Sequence, residues 1–182
     1  RYDGTAPSEG HGFQLHVGPM GTDVRGRVKI KSADPLEYPS ILFNYLSTEN
    51  ERKEWCEAVR LSRKIIETDA MSELMGKELS PGAHIQTDEE ILDFIAKEGE
   101  SAYHPSSTCK MGVDSMAVTD ANLKVHGINN LRVVDASVFP YVTNGNIYSP
   151  VMMVAEKAAD LILGNTPLKP EQHPFFKKKG TL

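Results

Sequence analysis

The sequence predicts a mixed α+β fold: a mostly antiparallel sheet flanked by helices in residues 1–102, then a strand–loop–helix segment in residues 103–165 and an extended tail over 166–182. Three observations carry this. Short apolar-alternating runs between Pro- and Gly-containing turns fill the first forty residues. Two Thr-x-x-Glu patterns then stand directly ahead of helical apolar spacing. Finally, an apolar run ends abruptly at Asp135 and is followed by a largely apolar helix.

The strand candidates are Phe13–Val17, Gly26–Lys31 and Ile41–Phe43. The second alternates cleanly, Val28 and Ile30 against Arg27, Lys29 and Lys31, which is the period of a strand with one wet face. Antiparallel sheets tolerate such a face, and the short turns between the runs favour that pairing.

At Thr48–Glu51 the threonine hydroxyl can accept from the amide of Glu51 while the Glu51 carboxylate reaches back to the cap, a reciprocal capping box. Trp55, Ala58, Val59, Ile65 and Ile66 follow at helical spacing, predicting an amphipathic helix to about Thr68. Thr87–Glu90 repeats the box ahead of Ile91, Leu92, Phe94 and Ile95, and Gly99 is placed to end that helix in a left-handed cap. Leu131–Val134 is too apolar for an exposed edge and predicts a buried strand. After the Asn144-Gly145 turn signal, a last helix is expected from Pro150 to Leu163, with proline at its first position and Gly164 stopping it. Its polar face is narrow, comprising Glu156, Lys157 and Asp160, so most of it should bury against something larger.

Composition limits the function classes. The 182 residues are 40% hydrophobic and 25% charged, ordinary for a globular protein, with a formal net charge of −5. The basic run is Lys177–Lys179 in the tail, which reads as a solvated end, so no nucleic-acid footprint is expected. No apolar run approaches the roughly 18–20 residues of a membrane span. Two cysteines make no disulfide framework, which favours a reducing, cytoplasmic setting. The first residues lack signal-peptide organisation and an initiator Met, which suggests an internal piece of a longer chain.

The chemistry-bearing residues concentrate between His104 and Gly164, in HPSSTCKMG, LRVVDASVFP and TNGNIYSPVMMVAEKAADLILG. Ser107-Thr108-Cys109-Lys110 formally matches the S-x-x-K of serine acylases, but the Ser-Asp-Asn and Lys-Thr-Gly partners are missing. A metal site from His104, Cys109 and His126 has no supporting ligand spacing, so no metal is expected. No G-x-G-x-x-G fingerprint occurs, so the phosphate cradle of a dinucleotide is missing as well.

These motifs, with HVGPMGTDVRGRVKIKSADP and ELSPG ahead of them, resemble the C-terminal third of glucose-methanol-choline (GMC) flavoprotein oxidoreductases, and within that family its choline-oxidising bacterial branch. The resemblance runs from about Gly12 to Gly164. It implies a substrate-binding domain followed by a segment that returns to a flavin domain. It implies FAD as cofactor of the longer protein, a small alcohol such as choline as substrate, and a missing N-terminal FAD-binding portion as partner. The chain alone is then expected to be an inactive substrate-domain piece that does not hold FAD. Membrane association of the longer protein stays open.

The resemblance also assigns roles. Oxidising an alcohol requires a group to take the hydroxyl proton while a hydride leaves the adjacent carbon, and a neutral imidazole suits this near neutral pH. In the family that role falls to the histidine matched here by His104, which Pro105 holds out of a helix. The second polar partner matches Asn146, whose amide can hold the substrate oxygen. The start of the last helix, from Asn146 and Ile147 to Val151, is implied to face the flavin with its half-positive end. Asp135, with Ala136 beside it, is implied to lie near the ribityl chain or pyrophosphate, with a turn-capping Asp as the lesser alternative. Tyr103, Phe139, Tyr141 and Tyr148 are plausible aromatic walls for a quaternary ammonium, or equally core. The carboxylate that such a cation requires is not identifiable in this chain, so another GMC alcohol dehydrogenase remains an alternative.

Overall fold

A computed structural model describes residues 10–174. The run Lys177–Lys179 lies outside them. Two short strands, β1 (Arg27–Lys29) and β2 (Ser40–Leu42), pair antiparallel with Val28 opposite Ile41. Three α-helices follow: α1 (Glu49–Ile66), α2 (Asp88–Glu98) and α3 (Tyr148–Leu163). Single 3₁₀ turns stand at Asp69–Met71 and Ala136–Val138. No helix among the described residues is long and apolar enough to cross a membrane.

Antiparallel pairing and the three helices agree with the sequence, but the sheet is smaller than expected. Phe13–Val17 is not a strand, because no second strand among the described residues pairs with it. The alternation of Val28 and Ile30 buries nothing here, and both side chains are more than half exposed. Gly26 sets the corner into β1, since a Cβ there would collide with the Leu42 carbonyl oxygen.

Two hydrophobic clusters hold the chain. The first joins α1 to α2 through Cys56, Val59, Ile91 and Ile95, with Trp55, Leu92 and Phe94 against them. The Thr87 hydroxyl accepts from the Glu90 amide and the Glu90 carboxylate accepts from the Thr87 amide, so this capping box forms as expected. At α1 only half of the box forms: Thr48 accepts from the Glu51 amide, but the Glu51 carboxylate accepts from Leu46 instead of the cap. Helix α1 stops at Ile66, and Ile65 stays about half exposed because the cluster is reached through Cys56 and Val59. Gly99 closes α2 in an extended conformation, at φ −66°, not a left-handed one.

Arg63 fastens the connection between these helices. It pairs with Glu78 at 3.0 Å and donates to the carbonyls of Gly82 (3.2 Å) and Ile85 (2.7 Å). The ELSPG segment is thereby drawn onto α1, with Gly82 buried at φ +94°.

The second cluster comprises Leu123, Val138, Phe139 and Ala158, covered by Met111, Val133, Val134, Ile147, Val151 and Val154. Leu131–Val134 does not form the predicted strand. Arg132 alone bridges to Lys124, while the backbones of Leu131 and Val133 bond to Val125 and Leu123 across an irregular web. Helix α3 begins two residues earlier than expected, so Pro150 is its third residue, still within the first turn where a missing N–H costs no hydrogen bond. Gly164 ends it in the left-handed region, as expected, at φ 70°. Of its 16 residues only Ala158 is buried; Tyr148, Met152, Met153, Ile162 and Leu163 face outward.

Candidate functional site

The loop bearing His104 is held by main-chain bonds. Ser107 donates to the Ala136 carbonyl (3.2 Å), Cys109 to Ser137 (2.9 Å) and Met111 to Val138 (2.8 Å), so the loop lies along the 3₁₀ turn that follows Asp135. Thr119 fixes the other side: it is fully buried, its hydroxyl donates to the Cys109 carbonyl at 3.4 Å, and it bridges to both Met111 and Val125. Sequence reasoning missed Thr119, since nothing in its local pattern marks a buried polar side chain. Asp120 continues the frame by accepting from the amides of Asn122 and Lys124, and the Lys124 bond foremost holds its carboxyl below the usual range.

His104 itself is half-buried. Its neighbours Tyr103 (φ 56°) and Ser107 (φ 72°) both occupy the left-handed region, which is strained for side chains other than glycine. Sparsely populated backbone of this kind persists where surrounding structure over-determines it, and it clusters at functional sites. Here the Ser107–Ala136 bond and the constraint of Pro105 supply that determination.

Asp135 is exposed, and its Oδ1 accepts from the Ser137 amide at 2.7 Å, capping the 3₁₀ turn. Its Oδ2 accepts nothing among the described residues, so a ligand hydroxyl has one free oxygen to meet. The Ala136 carbonyl accepts from Ser107 and Phe139, while its own N–H donates to nothing among the described residues and stands with its small methyl beside that carboxylate. Asn144-Gly145 forms a bend into α3 and not a hairpin, with Gly145 at φ 88°. Asn146 is exposed at the end of that bend, while Ile147 packs into the second cluster and accepts the first helical bond, from Val151 at 2.9 Å. No hydrogen bond joins His104 to Asn146 among the described residues.

The α3 N-terminus differs from the other two. Helices α1 and α2 begin with capping threonines and acidic first turns, but α3 has neither a capping side chain nor an acidic residue in its first turn. Its partial positive charge is therefore uncompensated, an environment suited to a group that gains negative charge. Together with the open Asp135 oxygen, this fits the flavin implied by the sequence.

Three residues of the competing chemistries, Lys110, Ser107 and His126, have partners of their own. Lys110 is paired with Asp114 at 2.8 Å, and that pairing foremost holds the Asp114 carboxyl below its usual range. The Ser107 hydroxyl lies 3.2 Å from that of Ser106. His126 meets the Gly112 carbonyl at 3.1 Å. Burial foremost pushes the Cys56 thiol up, which keeps it protonated.

Of the aromatic candidates, Phe139 is core, and one face of Tyr141 carries the Arg25 guanidinium, 5.1 Å from the ring centre. Tyr103 and Tyr148 are exposed. A hollow of about 550 Å³ lies between Gly18–Gly21 and the α1 residues Glu54, Glu57, Arg60 and Lys64. None of His104, Asp135, Ala136, Asn146 or Ile147 lines it; Asp135 and Asn146 are exposed, and the other three are partly buried.

Residues 22–155 match the family model described as GMC oxidoreductase. The chain is 56% identical over 180 residues to the oxygen-dependent choline dehydrogenases of Staphylococcus aureus strains JH9 and Newman, covering 97% of this chain and 32% of theirs. It therefore spans about a third of the length of these curated relatives. Among solved structures it resembles pyridoxine 4-oxidase from Mesorbium loti, with a TM-score of 0.75 and 34% identity over 81% of this chain and 29% of that one. It also resembles an FAD-dependent oxidoreductase from Chaetomium thermophilum, with a TM-score of 0.71 and 30% identity over 76% and 24% of the two chains. With most of its length matched by that model and its fold shared with these two enzymes, the chain belongs to the GMC oxidoreductase family.

Proposed function

We propose that this chain is the C-terminal portion of an FAD-dependent alcohol dehydrogenase that oxidises choline to betaine aldehyde. The observation that carries the reading is 56% identity to choline dehydrogenases along nearly the whole chain. Residues 1–102 contribute part of the substrate-binding domain, 103–165 return to the flavin domain and 166–182 form a tail. When bound, FAD supplies the hydride acceptor.

His104 takes the proton of the substrate hydroxyl. Its loop is pinned to the backbone of Ala136–Val138, which keeps the imidazole from drifting relative to Asp135. Asn146 donates its side-chain amide to the alcohol oxygen and cannot compete for the proton, because an amide is not a base at neutral pH. Asp135 and Ala136 would hold the ribityl or pyrophosphate region. Asn146 and Ile147 would present the uncapped start of α3 to the ring, where its partial charge stabilises negative charge that develops during reaction. The FAD-binding portion lies elsewhere in the longer protein and works with this one.

The test is a steady-state screen of the full-length protein with choline, simple primary alcohols and an artificial electron acceptor. Choline is expected to give the highest kcat/KM. A preference for an uncharged alcohol would move the protein to another branch of the family.

A further inference from the structure

The corner Thr22–Gly26 is tightly built. Val24 is buried and its amide donates to the Thr22 hydroxyl at 3.0 Å. The Arg25 carbonyl accepts from the Asn44 side chain at 3.3 Å, and no Cβ fits at Gly26. The Arg25 guanidinium donates to the carbonyls of Thr22 (3.1 Å) and Val24 (2.8 Å), so its own segment orients it. From there it reaches across to the Tyr141 ring at 5.1 Å.

Tyr141 lies inside the loop that delivers Asn146. Phe139, at one end of that loop, is 5% exposed in the second cluster, and Ile147 packs into the same cluster at the other end. Between these anchors the loop has, among the described residues, one side-chain tie to the sheet region, the cation–π contact from Arg25.

We propose that Arg25 is a positioning residue which, by holding the Tyr141 ring, sets the Phe139–Ile147 loop and with it the amide of Asn146. The proposal rests on the reading of Asn146 as the group that holds the alcohol oxygen. A misplaced amide weakens the hold on the reacting oxygen, and small displacements at such a contact lower the rate of the chemical step.

The test follows single-turnover flavin reduction by choline in the full-length flavoprotein, with flavin content measured alongside. Arg25→Met and Tyr141→Leu should each lower the limiting rate about two- to fivefold with flavin retained, the range expected from losing one exposed cation–π contact. Tyr141→Phe keeps the ring face and should stay at the parent rate. Arg25→Met should add no further loss in the Asn146→Ala background, since it acts through that amide. The proposal is overturned if Tyr141→Phe is as slow as Tyr141→Leu, if Arg25→Met slows the Asn146→Ala background as much as the parent, or if Arg25→Met loses its flavin. Parent-rate reduction in Tyr141→Leu beside a slow Asn146→Ala overturns this inference alone. Parent-rate reduction in Asn146→Ala overturns the site assignment and this inference with it.

Discussion

His104 stands between two residues, Tyr103 and Ser107, whose backbones each cost of order 1–3 kcal/mol to hold in the left-handed region. That cost is reasonable where the ring between them must keep one position. If His104 takes the substrate proton, His104→Ala in the full-length protein should slow substrate-driven flavin reduction by about 10²–10⁴-fold while flavin content is retained. Near-parent reduction would remove the histidine from the chemistry. Glu51 makes a separate prediction. Burial foremost raises its carboxyl above the ordinary value of 4.5, partly offset by the Leu46 amide that it accepts from. The folded state then binds this proton more tightly than the unfolded one. Its favourable contribution is complete at low pH and is lost as pH rises from about 4.5 through the raised folded value. Glu51→Gln, which still offers an oxygen to Leu46, should flatten that part of the stability–pH curve in chemical denaturation. An unchanged slope would mean that the carboxyl is hydrated in solution.

Among the elements, α2 was legible in the sequence because its determinants are local: Thr87 and Glu90 sit three residues apart and cap each other. Thr87→Ala should destabilise the fold by about 1 kcal/mol. Helix α1 was legible in place but not in its cap, because the Leu46 amide competed for the Glu51 carboxylate and no spacing rule contains that competitor. Strand pairing was the least legible. Phe13–Val17 and Leu131–Val134 have strand-like composition, yet a strand needs a neighbour, and the described residues supply none to the first and only irregular contacts to the second. The ELSPG segment stood out only through resemblance. Its physical role is visible in the structure, where Arg63 gathers Glu78, Gly82 and Ile85 with its side chain largely buried. Arg63→Met should cost on the order of 2–4 kcal/mol in denaturant unfolding, because it leaves a mostly buried carboxylate and the Ile85 carbonyl unpaired, the Gly82 carbonyl keeping its bond from the Ile85 amide. At the site, His104 and Asn146 stand out in the sequence only through the family resemblance, whereas the Thr119 and Arg25 contacts span sequence separations that no local pattern encodes.

At the scale of the molecule, the chain holds two modest clusters and a wide apolar exterior. Met153, Ile162 and Leu163 on α3 are all more than half exposed, and so are Val28, Ile30 and Ile41 at the sheet. Exposed apolar area of this extent marks surfaces that bind other protein. The 182-residue chain alone should therefore self-associate as its concentration rises, seen as a growing sedimentation coefficient. With no glycine-rich phosphate cradle in its sequence, it should also purify without flavin colour. A stoichiometric flavin spectrum on this chain would contradict the division of labour proposed above. Full-length protein should do neither, since α3 and the sheet would then be covered.

The three main-chain bonds beside His104 have a further use. Ser107, Cys109 and Met111 donate to Ala136, Ser137 and Val138, while Thr108, between the first two, donates to no backbone carbonyl among the described residues. Deuterium uptake resolved to single amides should thus be slow at positions 107, 109 and 111 and fast at 108. That signature would serve as a clock inside the chain, timing how often the His104 frame opens without substrate, flavin or activity being present.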